Sequence, residues 1–241
     1  MQKIPCKSLE DYLDNVDYQS LNTYSPSVFA LGVMNFIKMV NGAQGEANKT
    51  PPFHLKMLDG LVSGSKRLIN ICHRGSGKTT VMGEYLILYL ACFNNIPNFG
   101  EVSGMIYVSD SMENGAKSLR KNVEYRYQNS EFLQTILPPK LQTFTDNYLE
   151  FTNTKGKKLG VRLFGATTGV RGVKLFGKRP SIAILDDLIS DSSSKSAADM
   201  AMIKEIVYKG INYALDPNHY KIILNGTPFN RQDILLEAIA S

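Results

Sequence analysis

A lysine followed by a hydroxyl residue, directly after a glycine-bearing turn, gives a backbone the means to hold a polyphosphate. The chain has these residues in Arg74-Gly75-Ser76-Gly77-Lys78-Thr79-Thr80, preceded by the apolar run Ile69-Asn70-Ile71-Cys72. In such a loop the backbone N–H groups wrap phosphate oxygens, and the helix that follows aims its N-terminus at them. Lys78 can reach the β- and γ-phosphates of ATP, and the Thr79 hydroxyl can hold Mg²⁺. Two residues depart from the pattern G-x-x-x-x-G-K-[ST]. Cys72 stands where the first glycine is usual, and Arg74 lies inside the loop, four residues before the lysine. Arg74 has three possible roles: neutralising charge on the γ-phosphate as an arginine finger does, binding an internal acid to sense nucleotide state, or simply being a solvated loop residue. His73 has no second His or Cys at ligand spacing and is read as a loop residue.

A second chemical element lies about a hundred residues downstream, where Ser181-Ile-Ala-Ile-Leu ends in Asp186-Asp187. A buried strand would deliver both carboxylates to the same sheet edge as the phosphate loop. Asp186 would then partner Thr79 at the metal, and Asp187 could orient and deprotonate an attacking water. Alone, the pair could equally be a solvated strand end. Weaker candidates flank these elements. Phe53 and His54 could pack on and hydrogen-bond an adenine, although Phe53 suits a core position as well. Asn225 and Thr227, in Leu224-Asn225-Gly226-Thr227-Pro228, could contact the γ-phosphate or its water, or form a plain turn.

These residues need a scaffold of strands delivering loops to one edge. The sequence predicts strands over Arg67–Cys72, Gly104–Ser109, Ile182–Leu185 and Tyr220–Leu224. Helices are expected over Phe53–Leu61, Lys78–Phe93, Ala116–Tyr127, Glu131–Leu137 and about Ala197–Gly210. A hairpin is expected across Tyr148–Asn153 and Lys158–Phe164, turning at Thr154–Lys157, and a Ser-rich loop follows the acidic pair. Upstream lie a short amphipathic helix within residues 1–25, an apolar helical stretch over Val28–Val40 and a linker rich in turn formers. An ATPase domain over 50–241 with an N-terminal helical extension over 1–49 is therefore expected. Alternating strands and helices argue for an α/β fold, a mostly parallel central sheet with helices on both faces.

The 241 residues are 43% hydrophobic and 20% charged, which suits one folded α/β domain. No apolar run is long enough to span a bilayer, and the first residues lack the apolar core of a signal peptide. Three cysteines at unrelated spacing argue against a disulfide framework or a zinc site and for a reducing, intracellular setting. The net charge of +5 is unevenly spread. Eight of the 27 basic residues fall between Lys155 and Arg179, a stretch without Asp or Glu, leaving 19 basic against 22 acidic elsewhere. A local positive field of this kind suits a surface facing phosphates, of a nucleic acid or of a neighbour's nucleotide, or else a merely solvated hairpin.

Taken in order, the loop with Arg74, then Gly-Val-Arg171-Gly172, then Ile-Leu-Asp186-Asp187, then Asn225-Gly-Thr227-Pro228 resembles the ATPase domain of large terminase subunits over roughly residues 50–235. These are the DNA-packaging motors of tailed bacteriophages and herpesviruses. The resemblance implies a P-loop NTPase of the additional-strand, catalytic-acid type. It would hydrolyse ATP with Mg²⁺ to drive double-stranded DNA into a procapsid, in the host cell cytoplasm. Implied partners are the portal protein, the small terminase subunit and further copies in a ring, commonly pentameric; no membrane is implied. By the same likeness Asn225-Gly-Thr-Pro is the coupling motif, and Arg171 is a finger reaching a neighbour's γ-phosphate. Many members have Asp-Glu where this chain has Asp186-Asp187, and members carry a C-terminal nuclease for which the residues after the coupling motif leave no room. The chain is thus expected to be a fragment without DNA cleavage activity. Rival expectations are a helicase or translocase of another P-loop superfamily, a small-molecule kinase, and a nucleotide-regulated DNA-binding or scaffold protein.

Overall fold

A computed structural model describes residues 24–42, 50–168, 170, 172–189 and 197–227. The expected amphipathic helix within 1–25, the Ser-rich loop and everything after Thr227 lie largely or wholly outside them. Nine strands are found among the described residues: β1 Arg67–Ile71, β2 Asn95–Ile96, β3 Gly100–Glu101, β4 Gly104–Ser109, β5 Thr143–Thr145, β6 Tyr148–Thr152, β7 Lys158–Gly165, β8 Ile182–Asp186 and β9 Lys221–Gly226. Seven of them form one sheet in the order β1-β9-β8-β4-β7-β6-β5, while β2 and β3 pair as a separate short ribbon.

The five strands from β1 to β7 in that order run parallel. Beyond them, β6 and β5 are antiparallel, β6 and β7 forming the expected hairpin. Parallel strands need covered faces on both sides, and their sequences show it. Every residue of β4, β8 and β9 is buried. Alternation then sorts the side chains. Met105, Tyr107, Ile182, Ile184 and Ile223 enter one core, and Ile106, Val108, Ala183, Leu185 and Leu224 enter the other.

The first core is the larger and is roofed by helices α1 Val28–Asn41, α2 Pro52–Val62, α3 Leu86–Phe93, α4 Lys117–Gln128 and α5 Glu131–Ile136. Ser27 caps α1 by accepting the Ala30 N–H, and Ser130 caps α5 through the Leu133 N–H. Helix α1 belongs to the expected extension, yet Phe29, Val33 and Phe36 are buried in the same core as the sheet. The second core is covered by α6 Ala197–Glu205 and the turns that continue it to Ala214.

The segment after the phosphate loop begins with wide π-type turns over Thr80–Tyr85 before becoming α3. Its Glu84 is almost fully buried, so its charge needs partners. Arg126 of α4 supplies an Nε–H 2.6 Å from Glu84 Oε2, and Asn122 donates to Oε1 at 2.9 Å. Arg126 also stacks 4.3 Å over the Tyr85 ring and donates to its hydroxyl. This cluster fixes the phosphate-loop helix against α4. Arg126→Ala should therefore lower stability by about 2–4 kcal/mol by stranding a buried carboxylate. Adding Glu84→Gln should recover part of that loss in a denaturant titration; equal or additive losses in the double variant would contradict the pairing.

Candidate functional site at the sheet edge

Strands β1, β9 and β8 are in register so that their last residues stand side by side. Ile71 lies opposite Gly226, Asn70 opposite Asn225, and Asn225 opposite Asp186. The strand following Asp186 in sequence thus lies between the phosphate-loop strand and the acidic strand. Chain connections continue the ladder past the strand ends, with Cys72 N–H donating to Gly226 O at 3.1 Å and Asp187 N–H to Asn225 O at 2.9 Å.

The phosphate loop turns at Gly75 and Gly77, with φ of +77° and +75°, a region glycine enters freely. Cys72 needs no such freedom, since it only extends β1, and its thiol packs 4.0 Å from Met57 Sδ. Burial pushes that thiol up from its ordinary pKa. A side chain thus replaces the usual first glycine without strain. His54 reaches across from α2, its Nε2 2.6 Å from Ser76 O, and braces the loop. Phe53 packs edge-on against His54 with ring centroids 4.4 Å apart and lies partly buried against the core.

Beside the loop lies a cleft of about 730 Å³, lined among others by Arg74, Lys78, Thr79, Asp186, Asp187 and Thr227. Within it the acidic strand end meets the helix start. Thr79 Oγ1 donates to Asp186 Oδ2 at 2.6 Å, and the Tyr107 hydroxyl donates to the same oxygen at 2.9 Å. Asp186 is 2% exposed and its other oxygen, Oδ1, has no hydrogen-bond partner. Burial is the main reason its pKa is pushed up to about 6; Asp187 adds to the rise, while Thr79, Tyr107 and Lys78 oppose it. Burial and the adjacent carboxylate also keep the Tyr107 hydroxyl protonated far above neutral pH.

Lys78, 5% exposed, is held by the second carboxylate, its Nζ 2.9 Å from Asp187 Oδ2. Thr227 Oγ1 lies 3.5 Å from the same Nζ and donates to Cys72 O at 2.6 Å. Asp187 adopts φ of +43°, a left-handed turn that Asp tolerates better than most residues.

The structure thus gathers Arg74, Gly75, Gly77, Lys78, Thr79, Thr80, Asp186, Asp187 and Thr227 around one cleft. It holds others away from it. Asn225, 1% exposed, accepts the Asn70 side-chain amide at 2.8 Å between β1 and β9, which places it in the ladder and not in the cleft. Phe53 and His54 stand behind the loop. Arg171 lies outside the described residues. Sequence reasoning missed Tyr107, Ser109, Asp110, Asn114 and Gly115, which also line the cleft. Tyr107 was detectable in principle, since a tyrosine inside an otherwise apolar strand needs a buried partner for its hydroxyl.

The residues present fit a magnesium nucleotide. A carboxylate with an orphaned buried oxygen beside a threonine hydroxyl is a hard-oxygen set of the kind Mg²⁺ takes. A buried lysine whose ion-pair partner is a half-exposed acid has a partner that an anion can replace. Among the described residues no group of three or more His, Cys, Asp or Glu forms a metal cluster, and no helix is long and apolar enough to cross a membrane.

The raised pKa of Asp186 sets the sign of a stability test. A carboxyl that holds its proton more tightly when folded costs stability while ionised, above about pH 6, and that cost fades as pH falls toward the unfolded value. Asp186→Asn should raise the melting temperature of the nucleotide-free chain at pH near 8 by roughly 2–4 °C, the shift for about 1 kcal/mol in a chain this size. The gain should shrink at about pH 5. A loss of stability at both pH values would show that the ionised side chain is a structural asset.

No family model matches the sequence, and no curated protein matches it. Solved structures do. The large terminase ATPase domain of Thermus phage P74-26 superposes with a TM-score of 0.54 at 15% identity, over 87% of this chain and 73% of that one. The HK97 bacteriophage large terminase gives 0.54 at 16% identity, over 88% of this chain, which spans 40% of the HK97 protein. S. cerevisiae Dbp5, in a complex with ADP, gives 0.46 at 13% identity over 90% of this chain and 49% of that one. At these identities the likeness to the two terminases is a likeness of fold: the chain has the α/β P-loop NTPase fold, a mostly parallel seven-stranded sheet flanked by helices.

Proposed function

We propose that the chain is the ATPase motor domain of a large terminase and hydrolyses ATP to move double-stranded DNA into a procapsid. The observation that carries this reading is the meeting of Lys78, Thr79, Asp186, Asp187 and Thr227 in one cleft, with β9 between the phosphate-loop strand and the acidic strand. The order of the sequence motifs and the terminase-like fold support it.

In this reading the N–H groups around Gly75–Lys78 hold the phosphates, and Arg74 adds positive charge at the cleft wall. Thr79 and Asp186 hold Mg²⁺, which when bound neutralises phosphate charge. Lys78 exchanges its carboxylate partner for a phosphate oxygen, an anion replacing an anion. That exchange releases Asp187, whose carboxylate then orients a water and accepts its proton as the water attacks the γ-phosphorus and the β–γ bridging oxygen leaves with ADP, giving ADP and phosphate. Aspartate is shorter than the glutamate many terminases use, but Asp187 lines the cleft and already reaches Lys78 Nζ at 2.9 Å. Thr227 touches both Lys78 and the loop carbonyl of Cys72, so it senses whether Lys78 holds a phosphate and passes the change to the segment after β9. Arg171 acts on a neighbouring subunit's γ-phosphate. The working form is a ring, pentameric by resemblance, docked on a portal protein with the small terminase subunit delivering DNA, in the host cytoplasm.

ATP turnover tests the chemistry. Lys78→Ala and Asp187→Asn should each lower kcat by about a hundredfold or more, and DNA or procapsids should raise the wild-type rate. Efficient phosphate transfer to a metabolite, or wild-type turnover in Asp186→Ala, would sink the reading. The finger is tested by mixing: Arg171→Ala and Asp187→Ala subunits should restore each other's activity in mixed rings, and no rescue at any ratio would mean Arg171 does not act in trans.

A further inference from the structure

The connection from β7 to β8 carries a tight turn at Leu175-Phe176-Gly177-Lys178, closed by reciprocal backbone bonds between Leu175 and Lys178 of 2.8 and 3.0 Å. Leu175 is buried and anchors the turn on the sheet. It can do so because β4 and β7 place two glycines side by side there, Gly104 opposite Gly160. A Cβ on Gly104 would come within 3.3 Å of the Leu175 side chain, and one on Gly160 within 3.2 Å of the Phe176 ring. The turn is therefore seated in a fixed position. It lies at the start of β4, the end of the sheet opposite the cleft.

What this fixed turn presents is unusual. Phe176 has φ of +52° and Gly177 of +78°, a turn whose first central position favours Asn or Gly. An aromatic side chain there strains the backbone, and 41% of it is exposed, so burial offsets little of that strain. Around it Lys174, Lys178 and Arg179 are exposed and have no acidic partner among the described residues. Lys158 stands 5.4 Å above the Phe176 ring, already paired to Glu150. Between the turn and β6–β7 lies a second cleft of about 490 Å³ lined by Tyr148, Arg162, Phe164 and Lys174. The Arg162 guanidinium lies 5.8 Å from the Tyr148 ring centroid.

We infer that this turn is a DNA-gripping element: Lys174, Lys178 and Arg179 bind phosphates of a DNA duplex while Phe176 packs against the sugars and base edges of its groove. The inference rests on the motor reading and names the surface that holds the substrate. Cations without acids suit a polyanion, and a run of six residues spans at most about 20 Å, a reach of a few phosphates. The chain's own nucleotide is excluded as partner because the cleft lies at the other end of the sheet. One exposed ring without an apolar patch beside it favours a nucleic-acid groove over insertion into a membrane.

Binding of a labelled duplex, followed by fluorescence anisotropy against salt concentration, tests this. The Lys174→Ala/Lys178→Ala/Arg179→Ala variant should bind more weakly and show a salt slope reduced by up to about 2.7, or 0.9 per lost phosphate contact. Phe176→Asn should weaken binding by at least about fivefold while leaving the melting temperature equal or higher, because Asn suits the left-handed turn. A purely structural Phe176 would give the opposite pattern, a lower melting temperature with unchanged affinity. Unchanged affinity and slope in the triple variant would overturn the assignment, as would a wild-type chain that ignores DNA at low salt or prefers anionic vesicles. So would a triple variant that binds DNA normally but loses ATP turnover only in rings, since the partner is then a neighbour's nucleotide. None of these outcomes touches the loss of turnover expected of Lys78→Ala, so this surface and the ATPase reading fail separately.

Discussion

A carboxylate buried to 2% exposure that must be ionised to be useful is the constraint around which the site is built. Asp186 ends a fully buried parallel strand, so desolvation opposes its charge and lifts its pKa to about 6. Two hydroxyls, Thr79 and Tyr107, converge on one of its oxygens and leave the other without a partner. That geometry is unfavourable for a resting protein and suited to a divalent cation. Each donor comes from a different element, the phosphate-loop helix and β4. Holding them at hydrogen-bond distance requires the parallel register from β1 to β4 and the clamp of Glu84 by Arg126 on the far side of the same helix.

The second carboxylate is subject to the opposite demand. Lys78 is nearly as buried as Asp186, and a buried ammonium without a counter-charge is costly. Asp187 meets that need at 2.9 Å while staying 45% exposed itself, so the pair is strong for the lysine and loose for the acid. An anionic phosphate can take the place of the acid without leaving the lysine unpaired. In the proposed reaction, charge balance alone would couple binding to catalysis: the exchange that seats a phosphate on Lys78 would free Asp187. Thr227, within reach of both the ammonium and the loop backbone, ties the end of β9 to that exchange.

Much of this was legible from residue types. The phosphate loop, the Asp186-Asp187 strand end and Thr227 lie where continuous apolar runs end, because a parallel strand buried on both faces is apolar along its whole length. Illegible were features set by tertiary register. Asn225 looks like a phosphate ligand in sequence, but the pairing of β1 with β9 sets it opposite Asn70, whose side-chain amide donates to its Oδ1. His54 looks like a base contact and instead braces Ser76, a role that depends on where α2 docks. Strands of two or three residues such as β2, β3 and β5 carry too little periodicity to be seen. The sharing of a core by α1 and the sheet was hidden by the turn-rich stretch that separates α1 from α2 in sequence.

The chain from β7 to β8 leaves the cleft end of the sheet and returns to it by way of the basic turn. The connection from β7 begins at Gly165, whose absent side chain leaves room for the Met112 backbone on the cleft side, where a Cβ would come within 2.6 Å. It then runs back along the second face to the Phe176 turn, and re-enters the sheet as β8, which ends at Asp186. Ser181 N–H donates to Gly104 O and Lys221 N–H to Ser181 O, so the entry to β8 is pinned to both neighbouring strands. Five residues of strand, about 17 Å, separate that entry from the Asp186 carboxylate. A strand with every residue buried and both edges paired is stiff along its length, so it cannot absorb a displacement by bending. A displacement at either end of β8 is therefore carried to the other end, which links the basic turn proposed to hold DNA to the Asp186 carboxylate.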